Sequence, residues 1–140
     1  MAIQLSVTVR NARLDAIETA ISTSPKLVIY ELDDAAPANC AAAMDPADTV
    51  LATITLPEDW MAAADAGAKA LAGTWSDASA DETGTAEFFR IYESTLTTCH
   101  LQGTVTAADP GGGDLELDTD AIVAGQTVTI TTFTLTDGNA

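Results

Sequence analysis

The segment GTAEFFRIYES, from Gly84 to Ser94, is the clearest β-strand in the chain and the best guide to its fold. Successive side chains on a strand point to opposite faces, so Phe89 and Ile91 are expected on one face and Arg90, between them, on the other. A polar turn at residues 77–83 precedes the strand, and a short loop around residues 96–98 follows it. The segment therefore predicts a strand that is bounded by turns.

Six further stretches of the chain have the composition of short strands. They are rich in β-branched and aromatic residues and are separated by Gly, Pro, Asp and Asn. These stretches are Lys26–Leu32, Thr49–Leu56, Leu71–Ser76, Cys99–Thr106, Leu115–Asp118 and Thr127–Leu135. Seven or eight short strands predict a mainly all-β chain, an antiparallel β-sandwich that is jelly-roll-like, and an immunoglobulin-like sandwich fits nearly as well. Because the strands do not alternate with helices, the pattern argues against a parallel α/β fold.

One short N-terminal helix is expected near residues 11–21. Leu14, Ile17 and Ile21 form an apolar stripe at helical spacing, and Pro25 ends the segment because the residue before a proline avoids the helical region. Leu5–Val9 alternates like a strand, so a strand followed by a helix is also compatible with this region.

The remaining segments predict loops within a single domain, residues 1–140. Asp33–Asp48 reads as a long loop, with a helical turn at Cys40–Met44. Gly111–Gly113 predicts a flexible hairpin tip, because an acidic residue follows the glycines where a phosphate loop needs Lys and a hydroxyl residue. The change of parity along the final strand predicts a bulge or twist near Thr132.

The excess of acidic over basic residues argues against some classes of binding partner. Five basic residues stand against 21 acidic ones, for a formal net charge of -16. Nucleic acids and anionic membranes both require clustered Lys and Arg, so neither is an expected partner. A generic acidic surface, as in salt-adapted proteins, would account for the same charge. Without a recognisable signal or a membrane-spanning stretch, the chain is expected to be made in the cytoplasm.

The sequence does not predict an enzyme, a cofactor or a metal site. The one histidine, His100, follows Cys99 on a predicted strand, so their side chains point to opposite faces and do not form a nucleophile–base pair. Four acidic residues at alternate positions from Asp114 to Asp120 predict a solvated strand face, since no calcium-loop pattern is in register. Cys40 and Cys99 could form one disulfide, or remain free as small buried side chains.

Four residues are candidates for contact with a partner protein. Trp60 and Met61 are residue types that are enriched in interface cores, and Trp60 lies next to a loop. Leu14 and Ile17 of the predicted helix complete this candidate surface, and all four are equally compatible with the core. Trp75, inside a predicted strand, is expected in the core.

Seven phrases, spread from Leu5 to Ala140, together resemble a family of small proteins encoded by tailed phages and prophages, which includes the cement, or decoration, proteins of phage heads. The phrases are LSVTVRNARLDAIETAI, SPKLVIYE, ITLPEDWM, ALAGTWS, TAEFFRIYES, CHLQGTV and GQTVTITTFTLTDGNA. The resemblance implies a jelly-roll domain, often a homodimer, that sits on the outside of an icosahedral capsid and clamps neighbouring major capsid proteins. It brings no catalytic residues, and Asp33–Asp48 is the part that it matches least.

Two functional hypotheses follow from the sequence. The first is a virion protein that binds the outer capsid surface as a cement protein, with the major capsid protein and a second copy of the chain as partners. The alternative is a phage tail or fibre component or a carbohydrate-binding sandwich, since jelly rolls also serve as lectins. A sugar site would need exposed aromatic side chains, for which Trp60, Tyr30 and Tyr92 are the candidates.

Overall fold

The computed structural model describes residues 2–138, which form a mainly β chain with one helix, as the sequence predicts. Its largest sheet has five strands in the order β2-β1-β6-β7-β8. These strands are β1 (Lys26–Glu31), β2 (Thr49–Thr55), β6 (Phe88–Tyr92), β7 (Cys99–Ala107) and β8 (Leu115–Leu117). The sheet is antiparallel except at its β7–β8 edge, where the two strands run parallel.

Three two-stranded sheets and the helix complete the described fold. β3 (Ala68–Ala70) pairs with β11 (Thr134–Thr136), β4 (Trp75–Asp77) with β10 (Val128–Ile130), and β5 (Gly84–Thr85) with β9 (Ala121–Ile122). The helix α1 spans Val7–Ile21 and includes the predicted region. Among residues 2–138, no helix combines the length and the apolar content that crossing a bilayer requires.

Strand β6 lies at the centre of the large sheet and is buried on both faces. Phe89 and Ile91 join the main core, and Arg90 points to the opposite face, which confirms the alternation expected from the sequence. The predicted strand Gly84–Ser94 is nevertheless divided, because two residues separate β5 from β6 and the two strands belong to different sheets.

The large sheet and the small sheets share one main core. Leu27 and Phe89 of the large sheet lie in one apolar cluster with Ile130 of β10 and with Phe133, which follows β10. Trp60 and Trp75 are fully buried in this cluster, with ring centroids 6.0 Å apart. The expectation that Trp75 is a core residue is therefore confirmed.

The parallel β7–β8 pair differs from the expected antiparallel sandwich, and the glycine run explains how the chain forms it. Gly111 donates a hydrogen bond to the Ala107 carbonyl, and Gly113 donates one to Thr106 Oγ1. A Cβ at Gly113 would lie 2.8 Å from the backbone nitrogen of Thr106, so only glycine allows this close return. The prediction of a flexible hairpin tip is wrong, since the segment is packed against β7 and precedes a parallel strand.

Three other segments differ from the predicted elements, two of them because of local hydrogen bonds. Leu5–Val9 is not a strand, because Ser6 caps the helix and its Oγ accepts the Val9 N–H at 3.3 Å. Cys40–Met44 contains no helical turn, since the Asn39 side chain holds the backbone in a tighter turn. The final predicted strand is broken near Thr132, where the chain passes from β10 to β11 in another sheet.

Polar rather than apolar contacts hold much of α1 against the body of the protein. Three helix side chains one turn apart accept hydrogen bonds from backbone N–H groups of the segment that precedes β3. The pairs are Gly67 to Asn11 at 2.9 Å, Ala64 to Asp15 at 3.0 Å, and Met61 to Glu18 at 3.3 Å. The polar face of the helix therefore supplies the hydrogen-bond partners that this loop needs.

A buried lysine lies beneath the same face of the helix. Lys69 Nζ is 2.7 Å from Asp15 Oδ1 and 2.8 Å from Glu18 Oε2, and it donates to the Ala62 carbonyl. Burial lowers the pKa of Lys69, but the hydrogen bonds with Asp15 and Glu18 outweigh this effect and leave it above its usual value. The hydrogen bond from Lys69, followed by that from Ala64, lowers the pKa of Asp15.

The start of α1 is fixed to the segment after β11. Arg10 Nε donates to the Asp137 carbonyl at 2.7 Å, and Arg13 Nη1 lies 3.2 Å from Asp137 Oδ2. Gly67, which has a positive φ of 77°, lies directly under the Arg10 guanidinium, and a side chain at that position would overlap it. The helix is therefore held at both ends of its polar face.

Replacing Lys69 with Met should lower the free energy of unfolding by about 2 kcal/mol, less than for a fully buried pair because Asp15 is half exposed. Lys26→Met is the matched control, since that lysine donates one hydrogen bond to Thr55 at the surface, and it should cost less than about 0.5 kcal/mol. Urea unfolding measures both. Equal losses in the two variants would contradict the role given to Lys69.

Comparison of the wild type with Lys69→Met also gives a pH test. Because the folded pKa of Asp15 is lowered, its contribution is present above its unfolded pKa of about 3.9 and is lost as pH falls through the lower folded value. The raised pKa of Lys69 keeps its contribution in place below the unfolded pKa of about 10.4. The stability difference between wild type and Lys69→Met should thus be constant at neutral pH and shrink in acid. A difference that grows in acid would contradict the assignment.

Candidate functional site

Three of the four residues expected to contact a partner lie inside the folded chain. The side chains of Leu14, Trp60 and Met61 are 3%, 0% and 1% exposed. Trp60 Nε1 also donates to the Ser22 carbonyl at 3.0 Å, so this ring ties the end of α1 to the core. The prediction that these three residues contact a partner is therefore wrong, because they are buried in the fold. Of the four candidates, only Ile17 is partly exposed.

The aromatic residues named for the alternative sugar site do not form an exposed platform either. Trp60 is internal, Tyr30 is buried in a second apolar cluster, and Tyr92 packs partly buried beside it. The two tyrosine hydroxyls lie 2.9 Å apart, and burial, followed by the Tyr92 hydrogen bond, raises the pKa of Tyr30. Stacking on a sugar ring needs an open aromatic face, which this arrangement does not provide.

The single histidine is next to an acid that is already engaged. His100 Nε2 is 4.0 Å from Glu93 Oε2, beyond hydrogen-bonding distance. Glu93 instead accepts hydrogen bonds from the Thr95 hydroxyl at 2.6 Å and from the Thr97 and Thr98 backbones. The Thr95 hydroxyl is the main cause of the lowered pKa of Glu93. This carboxylate therefore organises the turn after β6.

The acidic run around β8 also forms local contacts. Asp114 Oδ2 accepts the backbone and hydroxyl hydrogen bonds of Thr104, both at 2.9 Å, and Glu116 Oε1 accepts the Gly112 N–H. Within residues 2–138, no group of three or more His, Cys, Asp or Glu side chains is arranged to hold a metal ion. The acids brace the connection between β7 and β8.

The five cations are distributed unevenly between interior and surface. Lys69 and Arg90 are 1% and 3% exposed, whereas the 21 acids lie mainly at or near the surface. Arg10 and Lys26 are partly buried, and the Arg13 side chain is 60% exposed. The outer surface is therefore more one-sidedly acidic than the net charge alone indicates.

An open acidic groove runs beside α1. It has a volume of about 510 Å³ and is lined by Asp15 and Glu18 of the helix and by Glu58 and Asp59 of the loop after β2. Lys69 closes its floor, where it is already paired with the two helix acids. The other lining residues are Thr19, Ser22, Thr23, Met61 and Ala63, so within residues 2–138 the groove carries no free cation and its acids would repel phosphate and other anions.

Residues 33–48, here called the cover loop, lie over the face of the large sheet that is opposite the main core. Arg90 Nη2 donates to the carbonyls of Asn39 at 3.1 Å and Ala42 at 2.8 Å, and Gln102 Nε2 donates to the Pro37 carbonyl at 2.9 Å. Gln102 Oε1 in turn accepts from Arg90 Nε and Nη2. Each of these acceptors is uncharged, so Arg90 acts as a hydrogen-bonding anchor for the loop.

Three of the six large apolar side chains that are exposed in residues 2–138 lie at or just before the start of α1. Ile3, Val7 and Val9 are 87%, 48% and 44% exposed. Val50, Leu96 and Val123 are 37%, 45% and 56% exposed at separate places in the chain. Sequence reasoning missed Val7 and Val9 because it placed them in a possible strand, and it did not consider Ile3. It also missed the burial of Lys69 and Arg90, although for Arg90 a single cation within an apolar strand pattern is a usable signal of a buried anchor.

Replacing Arg90 with Met should release the cover loop and lower the free energy of unfolding by about 2 kcal/mol, because two backbone carbonyls lose their donor. Hydrogen exchange of residues 33–48 should accelerate at least tenfold, while that of β1 and β6 stays slow. Arg13→Met, at an exposed arginine, is the control and should leave exchange in the loop unchanged. Unaltered protection of the loop in Arg90→Met would show that other contacts hold it.

Comparison of the chain with protein-family models, with curated proteins and with solved structures finds no match.

Proposed function

We propose that this chain is a structural virion protein, a capsid decoration protein that binds the outside of an icosahedral phage head and stabilises the contacts between major capsid proteins. The proposal rests on the resemblance of its sequence phrases to that family. The observation that supports it in the structure is the distribution of charge: an acidic exterior with two of five cations buried.

The charge distribution suits a protein that works close to packaged DNA without binding it. Binding to a nucleic acid requires lysines and arginines that can displace counterions. Lys69 and Arg90 are committed to internal hydrogen bonds, and Arg10 is bound to the Asp137 carbonyl. The acidic surface also opposes non-specific association with other acidic proteins, so a specific contact must be apolar or complementary to a basic surface of the shell.

The architecture is compatible with the finer assignment of a jelly-roll-like sandwich, which forms part of this proposal. A five-stranded sheet and three small sheets share one core, which the two layers of a sandwich would also do. The parallel β7–β8 pair departs from an ideal jelly roll, in which neighbouring strands are antiparallel. A compact unit without long projecting segments in residues 2–138 is suited to close packing on a shell.

The exposed apolar side chains at the start of α1 are the contact surface that we propose. Ile3 and Val7 form its centre, and Ile17 adds a partly exposed side chain further along the helix. Val9 is two positions after Val7 and points to the other side of the helix, so it is not part of this surface. This set replaces the buried Leu14, Trp60 and Met61. Apolar side chains that stay in water in the monomer gain free energy when a partner covers them.

The decisive experiment mixes the purified protein with undecorated shells of the major capsid protein encoded nearest to its gene. We expect the protein to sediment with the shells and to raise their melting temperature, because a ligand that binds only the assembled state stabilises it by mass action. Ile3→Ser/Val7→Ser should weaken binding at least tenfold, whereas Val123→Ser, an exposed valine elsewhere, should not. Shells that neither bind the protein nor gain stability would overturn the proposal.

Self-association is a separate part of the proposal and is measured without shells. Two copies that each carry -16 repel one another, and salt screens this repulsion, so dimer formation should strengthen as ionic strength rises. Sedimentation velocity at low and high salt gives the mass directly. A strict monomer at every salt concentration would contradict the dimer and leave shell binding to be judged by the preceding experiment.

A further inference from the structure

The two cysteines meet at the edge of the cover loop. Cys40 lies in the loop and Cys99 is the first residue of β7, and 59 positions separate them along the chain. Their Sγ atoms are 2.7 Å apart, against about 2.05 Å in a disulfide bond. Both thiols are free and partly exposed. The fold therefore brings together two thiols that nothing in the sequence spacing required to meet.

Contacts that do not involve sulfur hold Cys40 in this position. Arg90 donates to the carbonyls of Asn39 and Ala42, which flank Cys40 on either side. The Asn39 side chain also accepts hydrogen bonds from the backbones of Ala41 and Ala42, which fixes the turn. Because the loop is anchored independently, the approach of the two thiols is a property of the docked loop.

We propose that Cys40 and Cys99 form an oxidisable dithiol, and that their disulfide locks the cover loop onto β7.

The oxidant that we propose for this pair is a low-molecular-weight disulfide such as oxidised glutathione. One protein thiolate attacks it, forming a mixed disulfide and releasing one glutathione thiolate. The second protein thiolate then attacks the protein sulfur of the mixed disulfide, releasing the second glutathione. Two thiols lose their protons and two electrons, and one oxidised glutathione becomes two reduced glutathione molecules.

The surroundings of Cys99 slow its reaction with an oxidant. Burial, and then the hydrogen bond with Cys40, raise the pKa of Cys99 to about 12, against the opposing influence of Arg90. A thiol with a raised pKa reacts slowly, since the thiolate is the nucleophile. Reducing compartments keep such pairs as thiols, and oxidising surroundings favour the disulfide.

The bond would close a large loop that contains strands β2 to β6. Cross-linking residues 59 positions apart restricts the unfolded chain more than the folded one, in which the sulfurs are already adjacent. It would also prevent the cover loop from leaving the sheet face when the Arg90 contacts open. The expected effects are a higher melting temperature and slower hydrogen exchange in residues 33–48.

The test incubates the reduced wild-type protein with oxidised glutathione in mildly alkaline buffer, quenches it with acid and measures intact mass and disulfide-linked peptides. We expect a monomer that has lost two hydrogen atoms, with Cys40 and Cys99 in one linked peptide pair. Its melting temperature should rise by roughly 10 °C, and dithiothreitol should reverse the rise. Cys40→Ser and Cys99→Ser should each give only a mixed disulfide with glutathione and no such rise.

Two outcomes would overturn the proposal. One is a wild-type product in which both cysteines carry glutathione or link different molecules, because the thiols then do not meet in solution. The other is an internal disulfide that leaves melting and exchange of the cover loop unchanged. Both readouts use the wild-type chain in its two redox states, so the test does not depend on the stability of the serine variants.

Discussion

A central strand that is buried on both faces needs a cover on each side, and β6 imposes this requirement on the rest of the chain. Phe89 and Ile91 direct one face into the main core, which the small sheets complete. The opposite face presents Phe88 and Arg90. The cover loop can close that second face because Arg90 donates hydrogen bonds to two backbone carbonyls of the loop, those of Asn39 and Ala42. The packing on both faces of the large sheet thus depends on the alternation of side chains along the five residues of β6.

The two buried cations solve a similar problem in different ways. Lys69 neutralises carboxylates of α1, so the helix can pack with a polar face toward the body of the protein. Arg90 contacts only uncharged oxygens and organises a segment that has no regular secondary structure. In each case a burial cost is offset by several hydrogen bonds, which is the condition for placing a cation inside a fold. The acidic character of the surface is partly a consequence of this internal use of the cations.

The sequence predicted features that depend on local patterns and missed those that depend on distant contacts. The alternation around Phe89 and the helix near Leu14 follow from periodicity, and both are present. The parallel β7–β8 pair could not be predicted, because it requires Gly113 to pass against Thr106 in three dimensions. Spacing alone likewise left Trp60 compatible with core and surface. The proposed contact surface at Ile3 and Val7 became apparent only when burial was known.

The contacts of Arg10 and Arg13 with Asp137 have a mechanical consequence. They join the first turns of α1 to the segment after β11, so the beginning of the helix and the end of the described chain lie side by side. A force that pulls these two ends apart would load this pair of polar contacts first and would peel α1 away before the five-stranded sheet bears tension. The helix would then act as a yielding element that protects the sheet against stretching.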